Sequence, residues 1–234
     1  MKINFNARNH LELFCQLKKL GVSVPPRSSG RTKEHTENWI GLRLLIALSK
    51  INRLDFPISV VHEDRPDLRI KTFKDSIGLE LSEVVPTEYA NAVYIRNKHY
   101  PNKSVDRKTF SGDKNFSKAD IHDHFKNLGK TSKETPWLEN SVERDWANLV
   151  NASILKKTNA LNKEGFKLFP HNWLGLYTSS TGPLLKAREA RSLLKKPYMF
   201  SGKNKFEAVF VLTSKEFVVI TDTDIVILEE DLKF

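Results

Sequence analysis

The sequence has a single cysteine, Cys15, among its 234 residues. A lone cysteine excludes an internal disulfide and a zinc site built from several cysteines. No apolar run approaches the roughly 18 residues that a transmembrane helix needs. The start, MKINFNARNHLELF, lacks the apolar stretch of a secretory signal. We therefore expect a cytoplasmic protein with no membrane partner. Cys15 shares a helical pattern with Leu11, Leu13 and Leu17, which predicts a buried thiol.

Basic residues exceed acidic ones. Lys and Arg number 38 and Asp and Glu 28, which gives a formal net charge of +10. Such a protein attracts polyanions, because binding to phosphates releases condensed counterions. Hydrophobic residues make up 39% of the chain and include 14 Phe, which is enough to build a core rather than a disordered chain. Charge therefore favours nucleic acid as the partner.

Hydrophobic periodicity predicts helices, then strands, then helices and strands again. Thr32 is placed to cap a helix whose buried side carries Ile40, Leu44 and Leu48. The predicted helices cover residues 7–20, 32–51, 86–100, 117–128, 138–162 and 183–196. The predicted strands cover residues 56–63, 67–73, 75–84, 169–180, 206–213, 216–221 and 224–230. Because most strands are apolar, we expect an α/β protein whose sheet is covered by helices on both faces.

No linker divides the chain, so the sequence predicts a single domain over residues 1–234. Residues 101–136 differ from the rest, being polar, rich in lysine and poor in large aliphatic side chains. We expect this segment to be a basic excursion on the surface with one short helix. The sequence leaves the oligomeric state open.

Two acidic residues, Asp67 and Glu80, are candidate metal ligands. Asp67 follows a proline, and Glu80 lies in the strand-like run IGLELSE, so two adjacent strands would bring them to one end of a sheet. Paired carboxylates suit Mg²⁺ or Mn²⁺, which prefer oxygen ligands. Glu80 shares its strand face with Gly78 and Ser82, and such small neighbours leave room for a ligand. The alternative is a turn residue, Asp67, and a solvent-facing Glu80.

RPD, a turn and then IGLELSE resemble the motif of the PD-(D/E)XK nuclease superfamily. The resemblance implies a restriction-endonuclease-like core with a central mixed β-sheet, Mg²⁺ (or Mn²⁺) held by Asp67 and Glu80, and cleavage of DNA, with RNA as the alternative substrate. It also implies that Glu37, on the opening helix, is a further ligand or holds a water. The alternative role for Glu37 is that of an acid favoured near a helix N-terminus. An accessory role in bacterial defence would suit such an enzyme by analogy.

The motif of that superfamily ends in lysine, whereas this sequence has Ser82. Lys157 is a candidate replacement, because it follows Trp146, Val150 and Ile154 at helical spacing on the side facing the sheet. Lys156 would take its place if the helix were rotated. The alternative is a lysine that reaches from the edge of the apolar face into solvent.

Basic and aromatic residues are interleaved in the excursion. We expect its basic side chains to follow a phosphate backbone while Tyr94, Tyr100, Phe110 and Phe116 stack on bases. The candidate nucleic-acid-binding residues are Lys103, Arg107, Lys108, Lys114 and Lys118. The alternative is a solvated surface segment.

Two functions therefore remain open from the sequence. The first is a metal-dependent nuclease with Asp67, Glu80, Glu37 and Lys157 at its centre. The second is a non-catalytic nucleic-acid-binding or protein-interaction module that kept the fold and lost the lysine. An ion pair between Lys157 and Glu80 would favour the nuclease.

Overall fold

An eight-stranded mixed β-sheet forms the centre of the molecule. The computed structural model describes residues 3–21, 24–110, 115–128, 140–178, 185–194, 203–213 and 215–229. Within these residues the strands lie side by side in the order of the chain. They are β1 (Asn4–Ala7), β2 (Ile58–His62), β3 (Leu68–Lys71), β4 (Ser76–Glu83), β5 (His171–Tyr177), β6 (Ala208–Leu212), β7 (Glu216–Ile220) and β8 (Ile225–Glu229).

The strand directions explain where the helices lie. β5 runs parallel to both of its neighbours, β4 and β6, whereas the other neighbouring strands are antiparallel. Parallel neighbours need a long crossover, so the chain leaves the sheet after β4 and again after β5. The helices are α1 (His10–Leu20), α2 (Lys33–Lys50), α3 (Thr87–His99), α4 (Lys118–Asn127), α5 (Ser141–Leu161) and α6 (Ala187–Ala190). The single-turn 3₁₀ helices are Arg27–Ser29, Lys108–Phe110 and Arg191–Leu193.

Helices cover both faces of the sheet, as the sequence predicted. The apolar sides of α1 and α2 pack with Leu79 and Leu81 of β4 on one face. The apolar sides of α5 and α6 pack with Leu174 and Leu176 of β5 on the other. The described chain is therefore an α/β protein with a central mixed sheet.

The crossover between β4 and β5 contains a third, smaller core. Ala92 and Ile95 of α3 pack with Phe110 and with Ile121 and Phe125 of α4. The predicted short helix is confirmed as α4, capped by the side chain of Ser117. The predicted polar excursion also contributes to a core, because these aromatic and aliphatic side chains bury one another. Residues 111–114 and 129–136 of the excursion lie outside the described part of the chain.

The predicted packing of the first helix is also wrong. Leu13 and Leu17 face the core, whereas Leu11 is 78% exposed and Phe14 is exposed as well. Cys15 is exposed, not buried. The physical reason is the rotation of about 100° per residue, since a residue two places from both Leu13 and Leu17 lies on the opposite side of the helix. The sequence pattern also missed β1, a short edge strand beside β2.

Other local predictions are confirmed. The side chain of Thr32 caps α2 by accepting a hydrogen bond from the backbone N–H of His35, and Ile40, Leu44 and Leu48 are fully buried.

The predicted helix over residues 183–196 is short where it is described, consisting of α6 and one 3₁₀ turn. Within the described residues, no helix combines the length and the apolar character needed to cross a membrane.

Candidate active site

The hairpin of β3 and β4 places Asp67 opposite Glu80. Leu68 pairs with Leu79 and Arg69 with Gly78 in this antiparallel register, so the residue before Leu68 lies across from the residue after Leu79. Asp67 is 1% exposed, and its Oδ2 accepts a hydrogen bond of 2.7 Å from the backbone N–H of Leu81. This bond fixes the carboxylate of Asp67 to the strand that carries Glu80.

Strand alternation turns Glu80 away from α2 and toward α5. Ile77, Leu79 and Leu81 belong to the core on the α2 side, and successive side chains of a strand point to opposite faces. Glu80 is 8% exposed, so its carboxylate needs a partner within the protein. That partner comes from the helix on its own side of the sheet.

Lys157 of α5 is the partner of Glu80. Its Nζ lies 2.6 Å from Oε1 of Glu80 and donates a second hydrogen bond of 3.2 Å to the carbonyl oxygen of Leu81. Trp146, Val150 and Ile154 anchor the same side of α5 in the core. Lys156, the alternative candidate, is exposed. The structure therefore brings Lys157 to the acidic pair that Ser82 leaves without a strand lysine.

Glu37 of α2 completes a group of three carboxylates. Lys33, one turn earlier on α2, lies 2.5 Å from Oε1 of Glu37 and 3.3 Å from Oδ1 of Asp67, so it joins the two acids. On the other side of Glu37, Nε2 of His62 lies 3.6 Å from its Oε2. Glu37 is buried, which a solvated first-turn acid would not be.

Burial and repulsion between the carboxylates raise the pKa values of Glu37 and Glu80. Burial, opposed by Lys33 and reinforced by the charge of Asp67, raises the pKa of Glu37 to about 7. Burial and the charge of Asp67 also raise the pKa of Glu80, against the opposing effect of Lys157. When all groups are ionised, three carboxylates face the two ammonium groups of Lys33 and Lys157. The site thus carries a net negative charge and is partly shielded from water. Such a site attracts cations.

The donor set fits a divalent ion that prefers oxygen. Oε2 of Glu80 is buried and has no hydrogen-bond partner in the described structure, an arrangement that is costly unless a ligand satisfies the oxygen. Asp67 and the carbonyl of Leu81 supply further oxygens beside it. Among the described residues, no group of three or more His, Cys, Asp or Glu side chains is arranged so that it could hold a metal ion. Two carboxylates with several retained waters are, however, a common way to hold Mg²⁺.

The small residues on the strand face of Glu80 do not leave the open space that the sequence indicated. A Cβ on Gly78 would lie 2.7 Å from Cδ2 of Phe169 and 3.0 Å from Cγ of Pro66. Gly78 is therefore needed because the ring of Phe169 and the ring of Pro66, the neighbour of Asp67, pack against the strand. The prediction that this position leaves room for a ligand is wrong.

The predicted nucleic-acid-binding residues have diverse surroundings. Arg107 is buried, and its guanidinium donates a 2.9 Å hydrogen bond to Asp145 of α5. Arg107 is therefore not available to bind a phosphate at the surface. Its hydrogen bond connects the small core to α5. Lys103 donates a 2.8 Å hydrogen bond to the carbonyl of Leu128 just after α4. Lys108 is half-buried and Lys118 is exposed, while Lys114 lies outside the described residues.

Most of the aromatic residues that were predicted to stack on bases instead pack within the small core. Phe110 is fully buried, while Tyr100 and Phe116 pack against the same small core. They cannot receive bases in this arrangement. Tyr94 differs from them, being 41% exposed.

The sequence reasoning missed Lys33, His62 and the carbonyl of Leu81. Lys33 precedes Glu37 by one helical turn, a spacing that predicts a side-chain pair. The sequence holds no comparable signal for His62 or for a backbone carbonyl, because both depend on the strand register.

Comparisons with known proteins give no further assignment. No protein-family model matches the sequence, and neither the curated proteins nor the solved structures contain a significant match. The function must therefore be argued from the geometry of the site.

Proposed function

We propose that this protein is a metal-dependent nuclease of the PD-(D/E)XK type that hydrolyses phosphodiester bonds in DNA, with RNA as the alternative substrate. The observation that carries the proposal is the ion pair between Lys157 and Glu80, at 2.6 Å, beside the buried Asp67. It supplies an ammonium group at the acidic pair, where Ser82 breaks the strand motif.

The architecture supports the same proposal. A hairpin of two antiparallel strands carries Asp67 and Glu80, a preceding helix carries Glu37, and parallel strands follow. These elements occur in the order that the restriction-endonuclease-like fold implies, with helices on both faces of a mixed sheet. We propose that the chain has this fold.

Asp67 and Glu80 would hold Mg²⁺ or Mn²⁺, with Glu37 as a further ligand or through a water. A divalent ion held there supplies charge neutralisation at the scissile phosphate and a more acidic water. Asp67 is fixed for this role by the N–H of Leu81. Glu80 retains Oε2 for it, since only Oε1 bonds Lys157.

Lys157 orients the attacking water. An ammonium group has three N–H donors; two of them are directed at Oε1 of Glu80 and the carbonyl of Leu81. The third is the donor that we assign to the water or to a phosphate oxygen. Glu37, with a pKa raised to about 7, is poised to accept a proton near neutral pH.

Nicking of supercoiled plasmid, and cleavage of single-stranded DNA and RNA, in Mg²⁺, Mn²⁺ or EDTA tests this function. Asp67→Asn and Glu80→Gln keep the shapes of the side chains and remove their charges. We expect cleavage that depends on the metal and falls at least about 100-fold in each variant, as for the loss of a group that stabilises the transition state.

Asp64→Asn is the matched control. Asp64 lies, like Asp67, in the segment between β2 and β3, and its side chain is 94% exposed. It should cleave like the wild type. Cleavage that survives in both site variants would overturn the proposal. No cleavage by the wild type, together with salt-sensitive binding to nucleic acid, would identify the non-catalytic module instead.

A further inference from the structure

Two adjoining cavities lead away from the carboxylates along α3. The first, of about 310 Å³, lies between the start of α2 and α3, with Lys33 and Arg31 in its wall. The second, of about 420 Å³, lies between α3 and α4, with Lys98 and Lys118 in its wall. Asn91 and Tyr94 line both, so the two cavities are neighbours along α3, and we call them together the groove.

Lys33 connects this groove to the candidate active site. Its ammonium contacts Glu37 and Asp67, and the same residue lines the first cavity. A chain lying in the groove would therefore come close to Lys33, the residue that contacts Glu37 and Asp67.

The groove is complementary to a polyanion. Each cavity contains lysine in its wall, and no Asp or Glu of the described residues lines either one. Arg31 is paired with Glu83, and Lys33 with Glu37 and Asp67, so the positive charge that the groove offers to a ligand comes chiefly from Lys98 and Lys118. Lys98 and Lys118 are both exposed. They are positioned to contact phosphates some distance from the carboxylates.

Tyr94 stands between the two cavities. Its ring is partly exposed, and Nζ of Lys98 lies 5.9 Å from the ring centroid. An exposed aromatic ring beside cations is a platform on which an unpaired base stacks, whereas a base inside a duplex presents no free face to it. An exposed ring of this kind would favour single strands over duplexes.

We propose that this groove binds a single-stranded segment of nucleic acid, with one base stacked on Tyr94 and phosphates on Lys98 and Lys118. The proposal rests on the nuclease function for its biological meaning, because a strand in the groove would come close to Lys33 beside the carboxylates. Binding itself is measured without cleavage, so the two proposals fail separately.

The test is fluorescence anisotropy of a labelled 15-nucleotide DNA, of the same DNA annealed to its complement, and of the matching RNA, all in EDTA with the full-length protein. We expect the wild type to bind single strands at least about tenfold more tightly than the duplex. Tyr94→Ala should weaken single-strand binding about tenfold, while Tyr94→Phe, which keeps the ring, should not. The DNA and RNA single strands show which sugar the groove accepts.

Lys98→Ser with Lys118→Ser should weaken binding and lower the slope of log affinity against log salt by about 1.4, as expected for two lost phosphate contacts on a single strand. Lys18→Ser with Lys19→Ser is the control, because these lysines lie in the last turn of α1 and line neither cavity. The melting temperature of each variant shows that it is folded.

Equal or tighter binding of the duplex, unchanged binding by Tyr94→Ala, or no binding of any strand by the folded wild type would overturn the groove proposal. Asp67→Asn separates it from the nuclease proposal. A variant that still binds single strands but no longer cleaves supports both. Cleavage that is retained by Asp67→Asn removes the nuclease site and leaves the groove to be judged by binding alone.

Discussion

Nζ of Lys157 lies 2.6 Å from Oε1 of Glu80, although 77 positions of sequence separate the two residues. One residue comes from a helix and the other from the central part of the sheet. An ammonium group is a compact charge whose N–H donors can rotate. A lysine on a helix can therefore place the same donors at the carboxylate as a lysine on a strand.

Replacing Lys157 with methionine should therefore abolish metal-dependent cleavage. Methionine keeps much of the length of the side chain and removes the donors that we assign to the attacking water. We expect the initial rate of plasmid nicking to fall at least about 100-fold. Lys156→Met is the matched control, being an exposed lysine on the same helix, and it should keep its activity. An equal loss in both variants would contradict the role of Lys157.

Moving the lysine to the strand should restore part of the activity. Ser82 is two residues from Glu80 and thus lies on the same face of β4. Ser82→Lys in the Lys157→Met background should recover at least about tenfold of the lost rate, because the ammonium returns to the acidic pair. Ser82→Met in the same background controls for size. If the lysine variant is as inactive as the methionine variant, the strand and helix positions are not equivalent.

Glu37 should make the folded protein less stable as the pH rises in the absence of metal. Burial raises its pKa from 4.5 to about 7, so the folded state holds a proton that the unfolded state has released. The stability that this proton contributes to the folded state is fully present below about pH 4.5. It is lost as the pH rises through about 7. Urea denaturation of wild type and Glu37→Gln in EDTA measures this effect.

The free energy of unfolding of Glu37→Gln, relative to wild type, should increase between pH 5 and pH 8 by about 1–3 kcal/mol. Added Mg²⁺ should reduce this increase, because a cation favours the ionised carboxylate. Parallel pH curves for the two proteins in EDTA would show that Glu37 is not perturbed in this way.

The pair of Arg107 and Asp145 should stabilise the attachment of the small core to α5. Burial lowers the pKa of Arg107 and raises that of Asp145, so each charge relies on the other. Asp145→Ala should cost about 2–4 kcal/mol of unfolding free energy, since it leaves a guanidinium buried. A double-mutant cycle with Arg107→Met measures the coupling.

The exposed pair of Lys126 and Asp123, at 3.3 Å, is the control cycle. Its coupling should not exceed about 0.5 kcal/mol, because water screens both groups. Similar coupling in the two cycles would argue that the Arg107 pair is as weak as a surface pair.

Gly78→Ala should destabilise the hairpin that carries the acidic pair. The added methyl group would lie 2.7 Å from the ring of Phe169 and 3.0 Å from Pro66, so one of them must move. We expect a loss of about 1–3 kcal/mol in unfolding free energy, as for other overpacked sites. Phe169→Ala in the same chain should offset part of that loss. A thermal unfolding curve of Gly78→Ala that superimposes on the wild type would contradict this packing.

The sequence predicted most of the elements because their signals are local. The β-branched run ISVVH, the alternation around Leu68 and Ile70, and the cap at Thr32 each depend on a few neighbouring residues. β1 was missed because four residues at a sheet edge carry little pattern. Leu11 and Cys15 misled the prediction for α1, since their spacing does not reveal which side of the helix meets the sheet.

The acidic pair and Lys157 could be named from the sequence because strand alternation and helical spacing set the direction of each side chain. The bond from Leu81 to Asp67 and the position of His62 beside Glu37 depend on register between distant segments, which no short motif records. The same reason explains why Arg107 looked like a surface cation: its partner, Asp145, lies on a helix that begins more than 30 residues later.

The division of the site between the two layers has one more consequence. Asp67 is fixed to the strand of Glu80 by a hydrogen bond within the hairpin, whereas the ammonium group of Lys157 reaches Glu80 only when α5 packs against the sheet. Under the proposed nuclease function, a chain in which α5 is displaced would keep the carboxylates assigned to the metal and lose the ammonium group assigned to the attacking water. Metal binding and cleavage would then be separable steps, and only cleavage would require α5 to pack against the sheet.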